Sequence, residues 1–405
     1  MMNINLNELL LSLSYTLDFV EMDVLGVTSN HSKRVAYIAN RLALFLGSHP
    51  EERYDLVACA ILHDNGVTKY MLEMAARAKK HKKKFVLENV KEHCTIGQKN
   101  IENYPFLTDV RDVIKYHHEA YDGSGFFGVK GMEIPMMSQL IFFGDYLDNK
   151  FNFKLIHYNK IKQVEQFIQE QANKLFAPEI VEAFMQVSQQ SSFWLDLSDN
   201  FIEYAIKYTL PEIKREVTWC ELQQITEIFS RIIDNKSEFT LRHSHDLANK
   251  VEKMARYYKK DEIEVLQLKI AANLHDLGKL AISNEILDKP DRLKEDELYL
   301  IRQHTYFSRI CLSQIEGFEE LTEWACNHHE KLDGSGYPFG LKKDALDFNS
   351  RLIMCLDIYQ ALMEERPYRE GLSHEKGMSI LRDMVDAQLI DGGIVEDVHD
   401  VFKSS

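Results

Sequence analysis

Ten of the sixteen histidines in this 405-residue chain stand in two parallel series. His31, His63, His93, His117 and His118 form the first. His243, His275, His304, His328 and His329 form the second, at an offset of 211 or 212 residues. Asp64 and Asp276 directly follow His63 and His275, and Asp145 and Asp357 close the two series at the same spacing. A one-residue deletion and a one-residue insertion account for the change of offset. His49, His81, His157, His245, His374 and His399 have no histidine partner at that spacing. A single histidine on a helix is usually a packing or surface residue. Ten of them arrayed in duplicate point to metal coordination.

Each half thus supplies five histidines and two aspartates, and no cysteine belongs to the duplicated pattern. Imidazole with carboxylate suits Fe, Mn, Ni or Zn rather than Ca or Mg alone. Seven ligands are too many for one ion that must keep a coordination position open. They suit two ions that share a bridging carboxylate. A His-Asp dipeptide at a helix end can serve this way, the His taking one ion and the Asp reaching both. Two ions about 3.5–4 Å apart favour phosphate-ester hydrolysis, holding a bridging hydroxide as nucleophile and neutralising phosphate charge. Lys279 lies four residues after His275, about one helical turn on, where it can stabilise charge developing on a phosphate oxygen. An isolated lysine would read as a surface residue; beside a His-Asp pair the functional reading is preferred. The matched residue in the first half is Val67.

The elements that must position these side chains read as helices. Val35, Ile38, Ala39, Leu42 and Leu46 make an apolar stripe at helical spacing after His31. Leu247, Val251, Met254, Ala255 and Tyr258 repeat it after His243. No alternating strand pattern stands out, so the expected class is all-α, with two helical bundles in tandem. The polar patch Ser188-Gln189-Gln190-Ser191-Ser192 reads as a loop, and Pro211 marks the expected boundary between domains 1–210 and 211–405. Arg77 to Lys84 is the most basic run. It reads first as a solvated face and second as a basic flap near a phosphate ligand.

Composition sets the outer limits. Apolar content is 45%, charged content 27% and formal net charge −15. That charge argues against broad binding to a DNA or RNA duplex or to a membrane surface. No apolar run approaches the roughly 18–20 residues that span a bilayer. Met1 to Leu10 carries no Lys or Arg, unlike a secretory signal. The six cysteines are scattered without a C-x-x-C pair, as expected of reduced thiols in a cytoplasmic protein.

Two stretches carry a family resemblance. His275-Asp276-Leu277-Gly278-Lys279 is one. The other is His328-His329-Glu330-Lys331-Leu332-Asp333-Gly334-Ser335-Gly336-Tyr337-Pro338. Together they resemble the HD-GYP family within the HD superfamily, over about His243 to Gly371. Glu285 to Pro290, Gly340-Leu341-Lys342 and Arg366-Pro367-Tyr368-Arg369 support the likeness. The resemblance implies a helical, metal-dependent phosphodiesterase that opens a bacterial cyclic dinucleotide used as a second messenger. The candidates are cyclic di-GMP and 3′3′-cyclic GMP-AMP.

It also implies roles for individual residues. His243, His275 and Asp357 would hold one ion, and His304, His328 and His329 the other, with Asp276 bridging. Lys279 would face the scissile phosphate and act with Asp276 in catalysis. Tyr337 would shape the substrate pocket and Pro338 would fix the turn. Arg366 and Arg369 would meet phosphate or guanine. Two departures matter. Phe239 stands where three-metal members carry Glu, with Glu238 one place off, so two ions are expected. Gln360 replaces the family's usual Asp after the last ligand, whereas the first half keeps Asp148.

The first half is similar to the same family as a degenerate copy. Its ligand set of His31, His63, Asp64, His93, His117, His118 and Asp145 is complete. Yet it has Val67 for the lysine, Phe126-Phe127 for Tyr-Pro, and Lys154 and His157 opposite the two arginines. It is expected to be a metal-retaining scaffold or regulatory domain, and the second half a hydrolase that makes a linear dinucleotide. The alternatives are a non-catalytic metal- and nucleotide-binding signalling module, or an HD-superfamily hydrolase of mononucleotides. The expected assembly is a homodimer or an intramolecular pairing of domains.

Overall fold

The computed structural model describes residues 2–25, 29–70, 91–153, 158–237, 242–289, 291–365 and 370–403. The chain separates into two compact units: Ile4–Arg215, and Glu216–Ser405 together with Met1–Asn3. Both are helical. The only strands among the described residues, Met2–Ile4 and Arg215–Val217, pair as one two-stranded sheet. Among the described residues no helix is long and apolar enough to cross a membrane.

In the N-terminal unit helix His31–Phe45 packs against helices Pro50–Ile61 and Met136–Phe151. Val35, Ala36, Ile38, Ala39 and Leu42 are fully buried, as their spacing dictates. In the C-terminal unit helix His243–Tyr257 packs against Glu262–Leu274 and Phe348–Met363, burying Leu247, Val251, Met254 and Ala255. Helix starts follow local chemistry. Thr218 and Glu221 make a reciprocal capping box for Trp219–Asp234, and Asp261, Ser283, Asp347 and Asp391 cap later helices. Each cap satisfies end N–H groups that are otherwise orphaned, worth about 1 kcal/mol.

The repeat extends to backbone conformation. His31 and His243 each open a helix directly after a residue in the left-handed region, Asn30 at φ 59° and Arg242 at φ 73°. His63 and His275 each follow a helix end, Pro50–Ile61 and Glu262–Leu274. His93 and His304 lie on helices Glu92–Asn100 and Glu295–Leu312. Asp145 and Asp357 lie on Met136–Phe151 and Phe348–Met363.

In each half the glycine that follows the His-Asp pair is required by close approach. A Cβ on Gly66 would overlap the carbonyl of His93, and a Cβ on Gly278 that of His304. Only glycine lets the His-Asp turn come that near the helix bearing the third histidine.

Candidate metal centre

In the C-terminal unit His275, His304 and His328 are set by one device. Each Nδ1 donates to the carbonyl three residues back: Ala272 at 2.8 Å, Ile301 at 2.7 Å and Ala325 at 2.6 Å. A carbonyl oxygen only accepts, so Nδ1 carries the proton and each neutral ring keeps its lone pair on Nε2. Those nitrogens converge. His304 Nε2 lies 3.3 Å from His328 Nε2. Two lone pairs cannot hydrogen-bond each other. Two imidazoles on one tetrahedral ion, with bonds of about 2.0–2.1 Å, hold their nitrogens about 3.3 Å apart.

Asp276 faces two ways. Its Oδ2 is 3.1 Å from His275 Nε2, while its Oδ1 is 3.3 Å from His304 Nε2 and 3.8 Å from His328 Nε2. Asp357 Oδ1 lies 3.0 Å from His243 Nε2 and 3.8 Å from His275 Nε2. Donor atoms of His304, His328 and His329 all lie within 4.8 Å of one another, as do those of His243, His275 and Asp276. Buried Nε2 of His275 and Oδ1 of Asp276 have no hydrogen-bond partner among the described residues. Orphaned buried donor atoms are costly unless a ligand takes them. A bound cation satisfies all of these atoms at once, so the residues fit a metal.

Electrostatics agrees with that reading. Burial holds His304 down at about 4 and His328 at about 3, with nearby positive charge adding to the effect. Burial and the neighbouring His328 and His304 keep His329 well below the ordinary histidine range. These rings are neutral near pH 7, as metal ligands must be. Burial opposes charge on His243, but its hydrogen bonds to Asp357 and Glu364 override it and push it up to about 10, so metal binding there would displace a proton. Burial likewise opposes ionisation of Asp276, yet the facing His275 and the Lys279 ammonium hold it well below the usual carboxylate range.

Lys279 Nζ reaches back to Asp276 Oδ2 at 2.6 Å. It sits in a 3-10 segment, Leu277–Ala281, rather than on the expected α-helical turn. The tighter winding places it three residues from Asp276 on the same side. The Tyr337 ring lies against His329, with centroids 4.9 Å apart, and the Arg302 guanidinium stands 5.3 Å over it. Burial pushes the Tyr337 hydroxyl up, so it stays protonated and can donate.

The turn after the double histidine is held from inside. Buried Glu330 accepts from the backbone N–H groups of Phe339 and Leu341, both at 2.8 Å. Glu119 does the same for Phe127 at 2.7 Å and Val129 at 2.8 Å. Sequence reasoning missed both glutamates, although each completes a repeated His-His-Glu triplet. It also missed Arg302, which no motif marks.

The N-terminal unit repeats the arrangement. His63 and His117 donate Nδ1 to the carbonyls of Ala60 and Ile114. Asp64 Oδ2 is 3.5 Å from His63 Nε2, while its Oδ1 is 3.1 Å from His93 Nε2 and 3.6 Å from His117 Nε2. Asp145 approaches His31 at 3.1 Å and His118 at 3.4 Å. Val67 is buried at the place of Lys279, and the Phe126 ring lies 5.1 Å from that of His118.

One expectation needs correction. Gln360 does not leave the first ligand without a carboxylate behind it. His31 Nδ1 is held by Asp148 at 2.7 Å. His243 Nδ1 is held at 2.8 Å by Glu364, one helical turn beyond Gln360, which itself donates to Glu364 at 2.7 Å. The duplicated pattern contains no cysteine, as expected, but Cys94 stands beside one copy of it, with His93, His117 and His118. Arg366, Arg369, Glu238, Phe239, Lys154, His157 and the run Arg77 to Lys84 lie outside the described residues.

A family model for an HD domain matches residues 22–175 and again residues 227–394. A 3′3′-cGAMP-specific phosphodiesterase 1 of Vibrio cholerae is 30% identical over 408 residues, covering 97% of this chain and 91% of that protein. A 3′3′-cGAMP-specific phosphodiesterase 3 of the same organism is 31% identical over 302 residues, 74% of this chain and 64% of its own length. A cyclic di-GMP phosphodiesterase of Pseudomonas aeruginosa is 32% identical over 140 residues, 34% of each chain. The crystal structure of a V. cholerae cyclic GMP-AMP specific phosphodiesterase, V-cGAP3, aligns with 99% of this chain and 98% of its own. The TM-score is 0.68 and the identity 24%, a likeness of fold.

Proposed function

The chain belongs to the HD-domain family, and from that membership we propose that it is a metal-dependent phosphodiesterase opening a bacterial cyclic dinucleotide to a linear one. The observation that carries the reading is Asp276, whose two oxygens face different histidine groups while Lys279 stands 2.6 Å from one of them. We assign His243, His275 and Asp357 to one ion and His304, His328 and His329 to a second, with Asp276 shared. The imidazole and carboxylate donors suit Fe, Mn, Ni or Zn. When bound, such ions supply Lewis acidity at the phosphate and lower the pKa of water.

The chain's own residues do the rest. Lys279 presents a cation where negative charge grows on the phosphate. Tyr337, backed by His329 and Arg302, walls the substrate side and keeps a hydroxyl to donate. Arg366 and Arg369 are assigned to phosphate or guanine contacts by the motif they share with the family. The favoured substrate is 3′3′-cGAMP, because the relative matching 97% of this chain is named for it, whereas the cyclic di-GMP match covers 34%.

The N-terminal unit reads differently. It has the ligands but Val67 and Phe126 in place of the lysine and tyrosine, which supports a metal-retaining scaffold or regulatory unit. Product analysis of the full chain with each cyclic dinucleotide in Mn or Fe(II) tests the proposal. Linear product from wild type and none from Asp276→Ala is expected. Full turnover by metal-loaded Asp276→Ala would overturn it.

A further inference from the structure

We propose that Cys94 is a thiolate ligand in the N-terminal unit, completing a sulfur-containing site with His93, His117 and His118. Donor atoms of all four lie within 4.8 Å of one another. Cys94 Sγ is 3.6 Å from His93 Nε2, and His93 Nε2 is 3.4 Å from His117 Nε2. A tetrahedral ion with bonds of about 2.3 Å to sulfur and about 2.0–2.1 Å to nitrogen sets those separations at about 3.5 and 3.3 Å. The two distances therefore match one ion bound by thiolate and imidazole together.

A second observation points to the same place. Asp64 is 8% exposed, and its Oδ1 has no hydrogen-bond partner among the described residues. That oxygen lies 3.1 Å from His93 Nε2 and 3.6 Å from His117 Nε2, facing the same centre. The C-terminal unit repeats the aspartate but has no sulfur at the matching place. The residue matching Cys94 is Thr305, whose hydroxyl donates to the Arg302 carbonyl at 3.2 Å along its own helix.

The consequence is a difference in kind between the halves. Thiolate shifts preference toward a thiophilic ion such as zinc. With Asp64 Oδ1 the three imidazoles and the thiolate would offer one ion five protein donors, a closed set as in structural rather than catalytic sites. The C-terminal unit has Thr305 in that place and would offer one donor fewer. This rests on the reading of the N-terminal unit as metal-retaining.

Full-length protein loaded with cobalt(II) alone tests it. Wild type is expected to show a near-ultraviolet thiolate-to-cobalt charge-transfer band, which Cys94→Thr and Cys94→Ser each abolish. Absence of the band in wild type, or its survival in both variants, would overturn the proposal. Zinc-edge X-ray absorption of wild type gives a readout free of variants: a sulfur shell at about 2.3 Å is expected, and a shell of nitrogen and oxygen alone contradicts it. Counting bound cobalt in His117→Ala separates the two readings. A drop in count, with no thiolate band in the wild type, removes only the role of Cys94. An unchanged count removes the metal-retaining reading and the thiolate with it.

Discussion

Lys279 and Glu364 touch different members of the C-terminal site, Asp276 and His243. Lys279 touches Asp276, and in the proposed mechanism it faces the phosphate, so its loss should fall on the chemical step. Lys279→Ala should lower kcat about 10²–10³-fold, the loss seen when one preorganised donor is removed. Bound metal should stay close to wild type, checked by steady-state kinetics beside metal analysis. Glu364 holds the far nitrogen of His243 and accepts from Gln360. Glu364→Ala should weaken metal binding about 10–100-fold, as for other groups that orient a ligand, and a metal titration reads this directly. The duplicated histidines and aspartates were legible because a repeat exposes them by register. Glu364 was not, because its role sits one helical turn from the position that register compares. Cys94 was hidden for the related reason that its counterpart is a threonine.

At the scale of elements, the site depends on how closely helices approach and how one turn is held. Gly278→Ala puts a methyl group into the His304 carbonyl. It should cost about 1–3 kcal/mol, the usual range for overpacking, and should lower activity by moving His304 relative to Asp276. Thermal melting and turnover of the same sample check both effects. Glu330→Ala leaves the Phe339 and Leu341 N–H groups without their acceptor. It should raise KM more than it lowers kcat, because Tyr337 sits in the turn those bonds close. Apolar stripes made the helices readable. The 3-10 winding after Asp276 and the grip of Glu330 on N–H groups nine and eleven residues later leave no such periodic mark.

At the scale of the molecule, one ligand pattern is used twice with different surroundings. Lys279, Tyr337 and Glu364 accompany the C-terminal copy; Val67, Phe126 and Cys94 accompany the other. On the proposal that both units hold metal when folded, chelation should lower the melting temperature. At free metal 100 times the dissociation constant the linkage is about 2.7 kcal/mol per site, and calorimetry with and without chelator measures the shift. The global charge of −15 would repel an anionic substrate, so bound cations and Lys279 must reverse the field locally.

The decisive comparison is turnover of 3′3′-cGAMP by two metal-loaded full-length variants, Asp64→Ala and Asp276→Ala. The predicted result is near-wild-type linear product from Asp64→Ala and none from Asp276→Ala. Activity that survives in Asp276→Ala, or is lost only in Asp64→Ala, would contradict a catalytic C-terminal centre.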